Sequence, residues 1–202
     1  MDPLLCLKQD PPSRSQYKEG VLVKICALHE KELREKAKNN SKLKFLNTDL
    51  QGLRGRSHPA LNHIVTTHEV KKSRIHLKML VGDYYTFEVK ANQSGGSPFC
   101  RSCSSSIASE NIEHILALCE AYNFIRERIL PEFEALCEKS RNGLSLKPIF
   151  SNPTLLTQFV LDPSSFNLPQ RINVNDPVLV EFFKLSRDFC YAVHSERKRI
   201  IQ

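Results

Sequence analysis

Four residues constrain this chain more than any others: Cys100, Cys103, His114 and Cys119, in the pattern Cys-x2-Cys-x10-His-x4-Cys. Two thiolates separated by two residues chelate one zinc ion from a tight turn, and a later His and Cys complete a tetrahedron of three sulfurs and one nitrogen. The spacing makes one demand. Residues five apart on a regular α-helix point about 140° apart around its axis, so His114 and Cys119 converge only where the helix tightens, loosens or ends. Around the pair, Gly95, Gly96 and Pro98 shape the approach to Cys100, and the stretch Arg101 to Ser106 is too hydrophilic for a core. Cys6, Cys26, Cys137 and Cys190 sit in apolar runs and read as small buried side chains.

Seven cysteines without a secretory signal favour a metal site over a disulfide framework, and an intracellular setting, nuclear or cytoplasmic, over secretion. No apolar run approaches the roughly 20 residues that span a bilayer, so no membrane partner is expected. A site with four protein ligands leaves no position for a reacting water and is structural: one zinc ion, and no catalysis. A zinc deaminase needs His-x-Glu before Pro-Cys-x2-Cys, whereas here the cysteine pair comes first and Ile115-Leu116 follow His114. GxxxxGK[ST], GxSxG, GxGxxG and HExxH are all missing, and no two aspartates are adjacent. The expectation is a protein that is not an enzyme on its own.

Apolar periodicity gives a mainly α fold, a helical bundle-like region with a small Cys3His finger and at most one short β-hairpin or strand. Helices are predicted over residues 16–38, 59–66 and 68–81, the second burying Leu61, Ile64 and Val65. YYTFEVKANQ, alternating Tyr85, Phe87 and Val89, is predicted as a strand. Ser109 is expected to cap a helix with Glu110 and Glu113 in its first turn, its apolar run continuing past Pro131 to Cys137. A short helix is expected over residues 155–161 and a final one from Asp176-Pro177 through Val193, whose apolar face offers a protein partner a docking surface. The organisation expected is a loose leader at 1–15, a basic helical region at 16–82, the zinc-binding segment with its helix at 83–139, and a Pro-rich connection with the last helix at 140–202.

The net charge of +7 is uneven. Residues 18–78 hold 14 Lys and Arg against 6 Asp and Glu, a balance of +8, whereas residues 79–202 balance at −1. The excess points to a polyanionic partner, with phosphate contacts from Arg54, Arg56, Lys71, Lys72, Arg74 and Lys78. His58, His63, His68 and His76 are read as surface or phosphate-facing. Arg197, Lys198 and Arg199 read as cations at a helix C-terminus.

The basic segment HPALNHIVTTHEVKKSRIHLKMLVGDYYTFE ends in Leu80-Val81-Gly82, and the CRSC pair and ENIEHILALCEAYNFIRERIL follow it. Together these resemble the zinc-binding region at the C-terminal end of reverse transcriptases from non-LTR (LINE-type) retrotransposons. The likeness covers about residues 54–130, through Glu113-His114, Cys119 and Arg126-Glu127-Arg128. It implies a Cys3His (CCHC) zinc finger that grips RNA or DNA beside a polymerase. The chain lacks the paired aspartates of a polymerase palm and the acids of an endonuclease, and residues 140–202 match nothing in the pattern. The resemblance implies a fragment of an RNA-directed DNA polymerase polyprotein or a host protein derived from one.

Overall fold

The computed structural model describes residues 13–47, 58–61, 64–104, 107–139, 145–166 and 177–201, with some side chains of 14–33 left out. Contacts divide the chain into two units, 1–40 and 41–202. The first contains helix α1, Arg14–Lys38, with Lys36 paired to Glu32 one turn earlier and Tyr17, Val21 and Leu28 exposed. Its extent follows the predicted helix.

The second unit is built on helix α7, Pro177–Ile201. Its buried residues Leu179, Phe182, Phe183, Ser186, Phe189, Cys190 and Val193 recur at three and four positions, the period of one helical face. That face packs mainly on α2 (Thr67–Leu80) and α4 (Asn123–Lys139), with α6 (Pro153–Leu161) beside them. Phe159 of α6 lies edge-on to Phe133 of α4 at 5.4 Å and to Phe182 of α7 at 5.7 Å. Two short helices, α3 (Phe87–Ser94) and α5 (Lys147–Phe150), complete the unit. The fold is mainly helical, and among the described residues the one strand-like pairing is a single antiparallel bridge, Phe99 to Ser109. The apolar face of α7 proposed for an outside partner is thus covered by the chain's own helices. Cys137 and Cys190 are buried as expected, while Cys6 and the side chain of Cys26 lie outside the described residues.

α2 is defined at both ends by local chemistry. Thr66 Oγ1 accepts from the Glu69 amide at 3.1 Å while the Glu69 carboxylate accepts from the Thr66 amide at 3.0 Å, a capping box. At the other end Gly82 has φ of 65°, and the Asp83 amide donates to Lys78 O at 2.8 Å while that of Gly82 donates to Met79 O at 3.2 Å. These bonds close a Schellman turn. A Cβ on Gly82 would lie 2.7 Å from Lys42 O, so glycine is required there twice over.

Three sequence expectations are corrected. The helix expected over residues 59–66 is not seen in the described part of that segment: a single 3₁₀ turn spans Pro59–Leu61, and Thr66 is extended because it caps α2. Pro59 and Ala60 are buried there, while Leu61 is exposed and Val65 is 85% exposed. The segment read as a strand is helix α3, started by Thr86, whose Oγ1 accepts from the Val89 amide at 3.2 Å. The Phe87 amide donates to the carboxylate of Glu110, 23 residues away, at 3.0 Å. That distant partner is invisible to a period-two reading, and Tyr85, which a strand would have buried beside Phe87, is 55% exposed. Ser109 does not cap the next helix; Asn111 does, accepting from the His114 amide at 2.8 Å, and Glu110 turns into the interior.

The histidines also depart from expectation. His76 is fully buried against Phe183, with Nε2 donating to Leu161 O at 2.8 Å. His58 also packs on Phe183; Ala60 N–H donates to its Nδ1 at 3.2 Å, which places the proton on Nε2, 3.4 Å from the buried carboxylate of Asp162. His68 alone is on the surface, edge-on to Tyr191, and His63 lies outside the described residues. Burial pushes His76 from 6.5 down to about 4. The unfolded chain therefore binds a proton that the folded one refuses, so this contribution to stability is complete above pH 6.5 and is lost as pH falls toward 4. In urea titrations, the fall in unfolding free energy from pH 7.5 to 5 is expected to be larger in the wild type than in His76→Gln by about 2 kcal/mol. Equal falls would contradict this account of His76.

Candidate metal centre

The four cysteine and histidine candidates meet at one point. Their ligand atoms lie within 4.8 Å of one another, with Cys100 Sγ 3.8 Å from Cys119 Sγ and Cys103 Sγ 3.5 Å from His114 Nε2. Among the described residues no other group of three or more such side chains does this. Cys119 is fully buried, Cys100 and His114 nearly so, and Cys103 closes the outer side.

Local backbone chemistry presents each pair. The first sits just beyond a two-bond clasp, Cys100 N–H to Ala108 O at 2.9 Å and Glu110 N–H to Pro98 O at 2.8 Å. The Ser102 amide then points at Cys100 Sγ at 3.4 Å, a donor that favours the thiolate. For the second pair the five-residue spacing is met by a change of helix type. His114–Leu118 is a π-helical turn, closed by the Cys119 amide donating to His114 O at 2.7 Å. Widening the turn to i→i+5 brings residues five apart onto one side. Cys119 then leaves the helix with φ −65° and ψ 118° before a 3₁₀ turn, Glu120–Tyr122, leads into α4.

Carbonyls at the end of this turn also meet a buried arginine. Arg126 of α4 is buried and donates to Leu116 O at 3.2 Å, to Cys119 O and to Asn123 Oδ1. Tyr122 donates to Ser102 Oγ at 3.0 Å, joining the two halves of the site.

Behind Cys100 lies a buried carboxylate. Glu110 Oε2 is 3.8 Å from Cys100 Sγ, and Oε1 accepts from Phe87 N–H and from Arg197 Nη2 at 2.6 Å. Arg197, on α7, lies over the rings of Tyr84 at 5.6 Å and Phe87 at 5.3 Å. The ion pair neutralises a carboxylate that would otherwise sit uncompensated beside a thiolate.

The thiols are electrostatically linked. The hydrogen bond from Cys119, aided by the Ser102 and Cys103 amides, pulls Cys100 down from 9.0 to about 4, while that same bond and burial push Cys119 up. Such a set offers one thiolate readily, and a cation that binds displaces the remaining thiol protons into solvent. The four ligand atoms converge on one point, an arrangement suited to holding a metal ion.

The basic candidates are spread out. Lys71 and Arg74 are exposed on α2 and Lys78 is half-buried, none with an acidic partner among the described residues. Lys72 is paired with Asp188 of α7 at 2.5 Å. Arg54 and Arg56 lie outside the described residues. Sequence reading missed Glu110, Arg126 and Arg197 as supports of the site. The Glu110 signal was present as a charge beside apolar Ile112 and Ile115, whereas Arg197 is 87 residues away from it. No helix among the described residues is long and apolar enough to cross a membrane. Comparison with protein families, curated proteins and solved structures finds no match.

The buried pair generates a double-mutant expectation. Glu110→Gln strands Arg197 and should cost about 3–5 kcal/mol of stability, with metal affinity falling about 10–100-fold in chelator competition. Glu110→Gln/Arg197→Met removes both charges and should recover part of the stability loss. A double variant no more stable than the single one would show that the pair is not coupled.

Proposed function

We propose that this chain is a non-catalytic, zinc-stabilised nucleic-acid-binding region. The ion is zinc because three sulfurs and one imidazole nitrogen form its preferred donor set. The distances agree: Zn–S of about 2.3 Å and Zn–N of about 2.0–2.1 Å give tetrahedral edges of about 3.8 Å between sulfurs and about 3.5 Å between sulfur and nitrogen. Two of the six edges in this chain, Cys100–Cys119 and Cys103–His114, are 3.8 Å and 3.5 Å, and all four ligand atoms lie within 4.8 Å of one another.

The nucleic-acid part rests on the cations of α2. Lys71, Arg74 and Lys78 recur at three and four positions, on one side of a rigid helix, without acids to neutralise them. Cations left in this way are suited to phosphate oxygens, which they bind without reading base sequence. The resemblance to the zinc-binding region of LINE-type reverse transcriptases points in the same direction, including its Cys3His ligand order.

A second reading, a metal-fixed adaptor for a protein partner, draws on Leu118, Phe124 and Leu155, all exposed, near an open cleft of about 440 Å³ lined by Ala117, Leu130, Phe150 and Leu156. Pull-down of a protein that survives nuclease treatment and is lost in Phe124→Ser would favour it.

Binding of the zinc-loaded chain to a 20-base-pair DNA or a 20-nucleotide RNA should weaken steeply with salt. Three phosphate contacts give a slope of log affinity on log salt of about −2 to −3. A flat dependence would remove phosphate contact as the basis of binding.

A further inference from the structure

We propose that Lys78, Lys198 and His194 form a phosphodiester-binding seam where α2 meets α7. The inference rests on the nucleic-acid reading above and adds the residues of the last helix, which lie more than a hundred positions from the basic segment.

The cations of the two helices fall into two groups. Lys72 is paired with Asp188, Lys184 with Glu181, Arg197 with Glu110 and Arg199 with Glu196. Lys78 and Lys198 have no acidic partner among the described residues, and Asp83, exposed just after α2, pairs with neither. His194 lies one turn before Lys198 on α7, so the two share a face. It is half-buried, and the charges that act on it are all positive: Lys198, Arg197 and Lys78. With burial, these hold its pKa below 6.5 and keep the ring neutral.

The orientation of the ring follows from its neighbour. Tyr84 Oη is 2.9 Å from His194 Nδ1. Tyr84 is buried and its hydroxyl meets no other acceptor among the described residues, so the phenol donates its proton to Nδ1. The imidazole proton is then on Nε2, the ring edge directed away from Tyr84. Glu110 fixes Arg197, Arg197 fixes Tyr84, and Tyr84 fixes His194. The seam therefore offers one N–H donor and two ammonium groups, with no carboxylate paired to them among the described residues, a set matched to a phosphodiester oxygen pair. The neutral ring adds a directed donor without adding to the repulsion between the lysines.

The test uses the zinc-loaded full chain, a labelled 20-nucleotide RNA and 20-base-pair DNA, with fluorescence anisotropy over a salt series. Lys78→Ala/Lys198→Ala should bind about tenfold more weakly, with the salt slope shallower by about one to two. Lys184→Ala and Arg199→Ala, which remove acid-paired cations, should bind as the wild type does. His194→Phe should weaken binding while His194→Gln, which keeps an N–H donor, should retain more of it. Helical signal and zinc content identify any variant that fails to fold, and Lys78→Gln/Lys198→Gln then replaces the alanine pair. An unchanged affinity and slope in the double variant, with weakening by Lys71→Ala/Arg74→Ala, would overturn the seam and leave the nucleic-acid reading standing. A wild type that binds neither nucleic acid would overturn both. Binding only to vesicles containing phosphatidylserine would also overturn the seam as a nucleic-acid site.

Discussion

Two ligands five residues apart reach one ion only if the backbone between them departs from the α-helix. The π-helical turn His114–Leu118 is that departure, and much of the unit 41–202 is arranged around it. The turn places His114 and Cys119 on one side, and the carbonyls at its end take a donor from the next helix. Arg126 binds those of Leu116 and Cys119 from the first turn of α4. The start of α4 is thereby fixed, and with it the positions of Ile125, Ile129 and Phe133 in the core. The Cys3His cluster, a wide turn and a buried guanidinium thus depend on one another.

The other half of the site is joined to the C-terminal helix through charge. Glu110 is simultaneously an anion at the N-terminus of α3, the partner of Arg197 and a neighbour of Cys100. Buried carboxylates are stable only when their lone pairs are taken, and here an amide and a guanidinium take them. Through Arg197, Tyr84 and His194 the same group reaches the surface between α2 and α7. Stability of the metal site and geometry of the basic surface are in this way properties of one connected set of side chains.

Much of this was legible along the chain. The four residues that meet in the Cys3His cluster, the helices of residues 14–38, 67–80 and 177–201, and the break demanded between His114 and Cys119 all follow from spacing and side-chain type. What escaped was set by partners far away in sequence. Phe87 begins a helix rather than sitting in a strand because Glu110 meets its amide. His76 and His58 are interior because Phe183 and the Leu161–Asp162 corner enclose them, which no count of nearby charges conveys. The basic end of α7 is sufficiently explained by the helix dipole along the sequence, which does not convey that Tyr84 meets His194 and that Glu110 meets Arg197.

The central claim is that Cys100, Cys103, His114 and Cys119 hold one zinc ion with no other ligand. X-ray absorption at the zinc edge, on protein with its metal content measured, tests it most directly. The account predicts one zinc per chain, three sulfurs at about 2.3 Å and one nitrogen at about 2.0–2.1 Å, with no oxygen shell. A folded chain without zinc, or a shell dominated by light atoms, would contradict it.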